Sequence, residues 1–183
     1  MTKKEAIINA ALELLTKKGI HNAPMSEIAK AAGTGMGTIY NHFSNKDLLI
    51  NEIYLIIKEE EEAAFLNVDT TKPIKTQFEN YLATLIEFHS NNPLYFNFLE
   101  QVQASPIITE ENRKKGGKPV ELVATLLKNG QQDRIIKDIT IEELLVFIGG
   151  VISGCLRWYF NNSKKQSLSF KNQIQMIWDA IKE

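Results

Sequence analysis

The sequence predicts an all-α protein in two parts, on three observations. Apolar residues recur at helical spacing along nearly the whole chain, and no run alternates with the two-residue period of a strand. The first fifty residues are cut into short segments by Gly19, Gly33, Gly35 and Gly37, whereas later segments run longer. With 183 residues, 44% of them hydrophobic, the chain can bury either one core or a small core joined to a larger one.

The elements follow in order. Residues 3–18 carry Ile8, Leu12 and Leu15 beside Ile7, Ala11 and Leu14, a helical stripe ended by Gly19. Pro24 suits the first turn of a second helix, where its missing N–H costs nothing, and Gly33 stops that helix after Met25–Ala32. A third short helix covers Met36–Phe43. Ser44 or Asn45 caps a fourth, with Asp47 in its first turn, running through Ile53 and Ile57 towards Phe65. Its run Glu59–Glu62 wraps more than one turn and reads as a solvated surface. "NVDTTKP" (67–73) is the most loop-like break. Helices are expected at about 73–90, 93–103, 118–132, 140–162 and 169–182, and "SPIITEENRKKGGKP" reads as a mobile surface loop.

Charge and cysteine content narrow the function. The formal net charge is −1, so the chain as a whole is no polycationic nucleic-acid binder. Residues 1–48 hold six lysines against four acids, and the remainder is net acidic. The single cysteine, Cys155, rules out an internal disulfide and a two-cysteine metal knuckle. The N-terminus lacks a signal-peptide pattern. The longest uncharged run, Leu144–Leu156, falls short of the ~20 residues that span a bilayer. A cytoplasmic protein without membrane partner is expected. No paired acids with a partner histidine and no Ser-His-Asp set suggest catalysis, so neither enzyme activity nor cofactor or metal is expected.

"AAGTGMGTIYNHFSNKDLL" (31–49) is the informative stretch. A nucleotide-cradling loop needs a strand before its glycines and G-x-G-x-x-G spacing. Here an alanine-rich helical stretch precedes G-x-G-x-G. A turn between two short helices fits better. Gly33 closes the first helix in a left-handed conformation. Ile28, Ala29 and Ala32 pack on Ile39 and Phe43, and Thr38, Tyr40, Asn41 and His42 project outward with groups suited to phosphates or base edges.

These residues resemble the TetR/AcrR family of transcriptional regulators. The likeness rests on Ile28-Ala29, Ala32-Gly33, Gly37-Thr38-Ile39-Tyr40, His42-Phe43 and Lys46, in the family's spacing to Leu48-Leu49. It covers about residues 5–55. It implies a helix-turn-helix DNA-binding domain at 1–47 and a larger helical ligand-binding and dimerisation domain at 48–183. By that resemblance Thr38, Tyr40 and Lys46 hold phosphates of double-stranded operator DNA, and Ser26, Met36 and Asn41 face the groove. His42 makes a phosphate or packing contact, and Thr34, Gly35 and Gly37 complete the DNA-facing set. Two departures stand out: Ala23-Pro24 replaces the family's usual hydroxyl before the second helix, and Thr34-Gly35 replaces its Val-Ser.

The larger part is expected to dimerise and to hold a small apolar or amphipathic inducer. Phe170, Ile174, Ile177, Trp178 and Ile181 form one apolar face, and Gly149, Gly150, Ser153 and Gly154 a small-residue strip. Gly150, Gly154, Ile174, Ile177, Trp178 and Ile181 are the expected subunit interface. Phe65, Phe78, Tyr81, Leu85, Phe88, Tyr95, Phe98 and Trp158 are the expected pocket lining, with His89, Asn97, Gln101 and Arg157 as polar partners. The resemblance implies a repressor released from DNA by its ligand; the alternative is control by a protein partner.

Overall fold

The computed structural model describes residues 1–66, 69–162 and 169–183. Among them are ten helices: α1 (Lys3–Lys18), α2 (Met25–Ala31), α3 (Met36–His42), α4 (Lys46–Ala64), α5 (Ile74–Asn91), α6 (Pro93–Val102), α7 (Glu110–Lys115), α8 (Lys118–Gln132), α9 (Ile141–Asn161) and α10 (Phe170–Ile181). The chain forms two compact units. Unit 1 is residues 1–60 with 92–117; unit 2 is 61–91 with 118–183. Compactness thus places the division inside α4 and returns α6 and α7 to the N-terminal unit, whereas the sequence reading divides at 47. Of the expected loop 67–73, Asn67 and Val68 lie outside the described residues.

The first helix has a local reason both to start and to stop. Thr2 caps α1 in a reciprocal box: its hydroxyl accepts from Glu5 N at 3.2 Å, and the Glu5 carboxylate accepts from Thr2 N at 2.9 Å. Gly19, at φ +90, closes α1. Inward faces of α1, α2, α3, α4 and α6 meet in one cluster that includes Ile7, Leu15, Ile28, Ile39, Ile53 and Phe98. Burying such a side chain is worth roughly 1.5–3 kcal/mol.

The expected mobile loop is corrected by α7. Thr109 caps it, accepting from Asn112 N at 3.2 Å. Glu110 and Glu111 sit at its positive end and Arg113, Lys114 and Lys115 at its negative end, so its charges oppose the helix dipole. Buried Asn51 secures the approach: its amide donates to Ile107 O, and its carbonyl oxygen accepts from Thr109 N and Asn112 Nδ2. Arg113 donates to the carbonyls of Gln103 and Ser105.

In unit 2, α5 lies against α8, α9 and α10. Phe78, Leu82, Leu127, Ile148, Ile177 and Trp178 are among its buried side chains. Gly130 is required there, because a Cβ would lie 2.5 Å from Ile136 Cδ1. Among the described residues α9 alone is long and apolar enough to cross a membrane, at mean hydropathy 1.4 with 22% of that window buried. Yet Glu142 and Glu143 occupy its first turn, and Leu144, Ile148, Ile152 and Leu156 form a stripe buried inside the unit.

Candidate nucleic-acid interface

The turn between α2 and α3 is built by one left-handed residue. Gly33 has φ +63. That conformation lets Thr34 N reach Ala29 O at 2.9 Å and Gly33 N reach Lys30 O at 3.1 Å, the paired bonds of a Schellman ending. Gly35, at φ −86, then starts α3 without a side-chain cap. Of the three glycines, only Gly33 is demanded by backbone geometry. A Cβ at Gly35 or Gly37 would meet nothing within 4 Å.

With Ile39 and Phe43 buried, α3 has a fixed inner face. Its other side chains are left outside: Tyr40 is 47% exposed and Met36 41%. Asn41 and His42 are exposed with them, as are Gly35 and Gly37, and Thr38 is half-buried. Ser26 on α2 is also exposed. The structure therefore brings most of the expected DNA-facing residues onto the surface of unit 1. Thr34 differs: its hydroxyl oxygen is covered, with no hydrogen-bond partner among the described residues. Lys46 is partly committed, because its ammonium donates to His21 O at 3.2 Å and partial burial lowers its pKa despite Asp47 beside it. An ammonium has three donors, so a further acceptor can still be met.

Four of the aromatics, expected pocket residues among them, pack against one another in pairs. Phe65 stacks on Tyr81 at 4.6 Å, Phe78 packs on Trp178 at 5.5 Å, and Phe65, Phe78 and Tyr81 are all buried. Leu85 and Phe88 are half-buried, and Trp158 is at the surface. Tyr95 and Phe98 belong to unit 1, so the eight residues do not share one compact unit. Tyr81 donates to Pro119 O at 2.8 Å, and burial, then Glu61, pushes its hydroxyl pKa far up. His89 and Glu61 form a buried pair at 3.8 Å. Gln101 is a structural clamp, accepting from Ile20 N and donating to Thr16 O.

A cleft of about 450 Å³ does open in unit 2, between α5 and α10. Ala83, Ile86, Phe170 and Ile174 give it an apolar surface, with Glu79, Glu87 and Lys171 among its polar lining. None of the eight expected pocket residues lines it. Sequence reading missed it because Glu79, Ala83 and Glu87 look like an ordinary solvated helix face. Among the described residues no group of three or more His, Cys, Asp or Glu could hold a metal ion.

The expected interface also divides. Ile174, Ile177, Trp178 and Ile181 are buried within the protomer, where α10 packs on α5. They are corrected from interface to core. Gly150 and Gly154 remain exposed on α9 in open space. Beside them Val146 is 76% exposed and Phe147 42%.

Residues 7–53 match the family model for bacterial regulatory proteins of the tetR family. The chain is 27% identical over 127 residues to the HTH-type transcriptional regulator UidR of Escherichia coli K12, a match covering 69% of this chain and 65% of that protein. Less than two thirds of that relative is therefore matched. The fold resembles a TetR family transcription regulator from Marinobacter aquaeolei VT8 (TM-score 0.84, 19% identity, 99% and 96% of the two chains). It also resembles the transcriptional regulator FadR of Bacillus subtilis in complex with stearoyl-CoA (TM-score 0.71, 18% identity, 96% and 95%).

Proposed function

We propose that the chain is a TetR family regulator: a cytoplasmic, homodimeric transcriptional repressor released from operator DNA by a small amphipathic ligand. Residues 1–47 act as the reading domain and 48–183 as the control and dimerisation domain. The observation that supports DNA binding is the outer face of α3. Tyr40, Asn41, His42 and Met36 stand at the surface while Ile39 and Phe43 fix the helix from behind. Tyr40 and Thr38 position phosphates; Met36, Asn41 and Ser26 meet base edges and methyl groups in the major groove.

One such domain reads too few base pairs, so two copies engage two half-sites about one helical turn apart. The outer face of α9, with Val146, Phe147, Gly150 and Gly154, supports the pairing: glycines there let helices approach closely. The cleft between α5 and α10 supports ligand control. Its apolar surface and charged lining suit an amphipathic molecule, and the FadR neighbour carries stearoyl-CoA, an acyl chain on a charged head. A ligand controls DNA binding only by preferring one spacing of the two reading heads over another.

The test is a gel-shift titration on duplexes that the wild-type protein selects from random sequence. Tyr40→Ala is expected to weaken binding at least tenfold while leaving the melting temperature unchanged; unaltered binding overturns the groove assignment. Lys46→Ala is expected to reduce the salt slope by about one. A second reading, control by a protein partner, draws on the interior aromatics being packed against one another. DNA affinity indifferent to acyl and amphipathic ligands would favour it.

A further inference from the structure

We propose that a groove in unit 1, between α1 and α4, is a binding site for a small hydrophobic ammonium. The groove has a volume of about 280 Å³, near the lower end of the roughly 300–1,000 Å³ usual for small-molecule sites. Its apolar surface comes from Ile8 and Leu12 of α1 and from Ile53, Ile56 and Ile57 of α4. Glu5 and Glu60 line it from the same two helices, Tyr95 of α6 adds an aromatic ring, and no lysine or arginine contributes to the lining.

Three features set the ligand's chemistry. The isoleucines supply apolar area for a hydrocarbon body. The two carboxylates make the groove negative, which favours a cation and opposes an anion. An aromatic ring beside them adds attraction for an alkylammonium, whose charge is spread over methyl groups. The carboxylates are also held in place. Glu5 accepts from Thr2 N at 2.9 Å within the α1 cap, and Glu60 accepts from Tyr95 Oη at 3.1 Å. Each bond uses one oxygen and leaves the negative charge in the groove. Lys4, the nearest base in sequence to Glu5, is paired with Glu52 instead.

The position gives occupancy a consequence. The inner faces of α1 and α4 share a cluster with Ile28 of α2 and Ile39 of α3. A ligand in the groove touches Leu12, Ile53 and Ile57, which belong to that cluster, and so bears on the same packing that holds the reading helix. The site itself stands apart from the DNA-binding reading, because its occupancy is measured without DNA.

The experiment is calorimetry on the full chain with benzyltrimethylammonium, using benzyl alcohol as the uncharged comparison. Benzyltrimethylammonium is expected to bind once per chain, and benzyl alcohol at least tenfold more weakly. Glu60→Gln keeps an acceptor for Tyr95 but removes the charge, and is expected to weaken the ammonium at least tenfold. Ile8→Trp, which fills the groove, is expected to abolish binding; should that variant fail to fold, Glu60→Gln carries the test. Glu87→Gln in the unit 2 cleft is expected to change nothing. Absence of binding to the wild type, equal binding of benzyl alcohol, or loss with Glu87→Gln in place of Glu60→Gln each overturns the proposal.

Discussion

Helices α9 and α10 look alike in sequence and are used in opposite ways. Both carry strong apolar faces, and both were expected at a subunit interface. Yet α10 spends its face inside the protomer: Ile174, Ile177, Trp178 and Ile181 are all buried. By contrast, α9 buries only Leu144, Ile148, Ile152 and Leu156, leaving Val146, Phe147, Gly150 and Gly154 outside. The difference teaches that periodicity reveals a face to be covered but not the molecule that covers it. Deciding that requires the neighbouring helix, here α5, which no local pattern in α10 specifies.

The largest effect that would sharpen this contrast is at Trp178. Its ring lies 5.5 Å from that of Phe78 in the unit 2 interior. Trp178→Ala is expected to cost about 3–5 kcal/mol, read by urea unfolding. Because the loss lies inside one chain, it should appear even where dilution has separated the subunits. A loss seen only in the associated form would return Trp178 to the interface.

Phe147→Glu probes the other helix. A carboxylate on that outer face stays solvated in the monomer but would be buried between paired copies. It is expected to raise the dimer dissociation constant at least a hundredfold, about 2.8 kcal/mol. Light scattering should then report the 20.8 kDa protomer, with the helical circular dichroism unchanged. A dimer that persists would move the interface off α9.

The same contrast marks what could be read in advance. Several helix boundaries were legible because caps and glycines act locally: Gly19 closes α1, Gly33 ends α2, and Asn45 accepts from Leu48 N at the start of α4. The outer face of α3 was legible because Ile39 and Phe43 orient it at fixed spacing. The α5–α10 cleft and the burial of the aromatics were not, since both depend on how separate helices meet. Short α7 was missed because its six residues contain no buried side chain to give a periodic signal. Its support comes from Asn51, more than fifty residues earlier, through bonds that sequence spacing does not foretell.

Glycines divide along the same line. At Gly130 the protomer itself excludes a side chain: a new Cβ would meet Ile136 at 2.5 Å and Ile74 at 3.2 Å. Ile136 is buried, so its side chain has to displace packed neighbours in order to yield. Gly130→Ala is expected to destabilise unit 2 by about 1–3 kcal/mol, measured as a lower urea midpoint. A neutral result would mean that the α8 end has slack.

Gly37 gives the smallest and most discriminating effect. Nothing in the protomer needs it, since its φ is ordinary and its surroundings are open. Alanine at a helical position is favoured over glycine by up to about 1 kcal/mol, so Gly37→Ala should raise the melting temperature slightly. If the start of α3 lies close to a DNA backbone, the added methyl should at the same time weaken DNA binding. Opposite signs in the two measurements would place the demand for glycine outside the protein. A variant both more stable and fully able to bind would show that the first turn of α3 stands clear of the duplex, and would move the reading surface towards Tyr40 and Asn41.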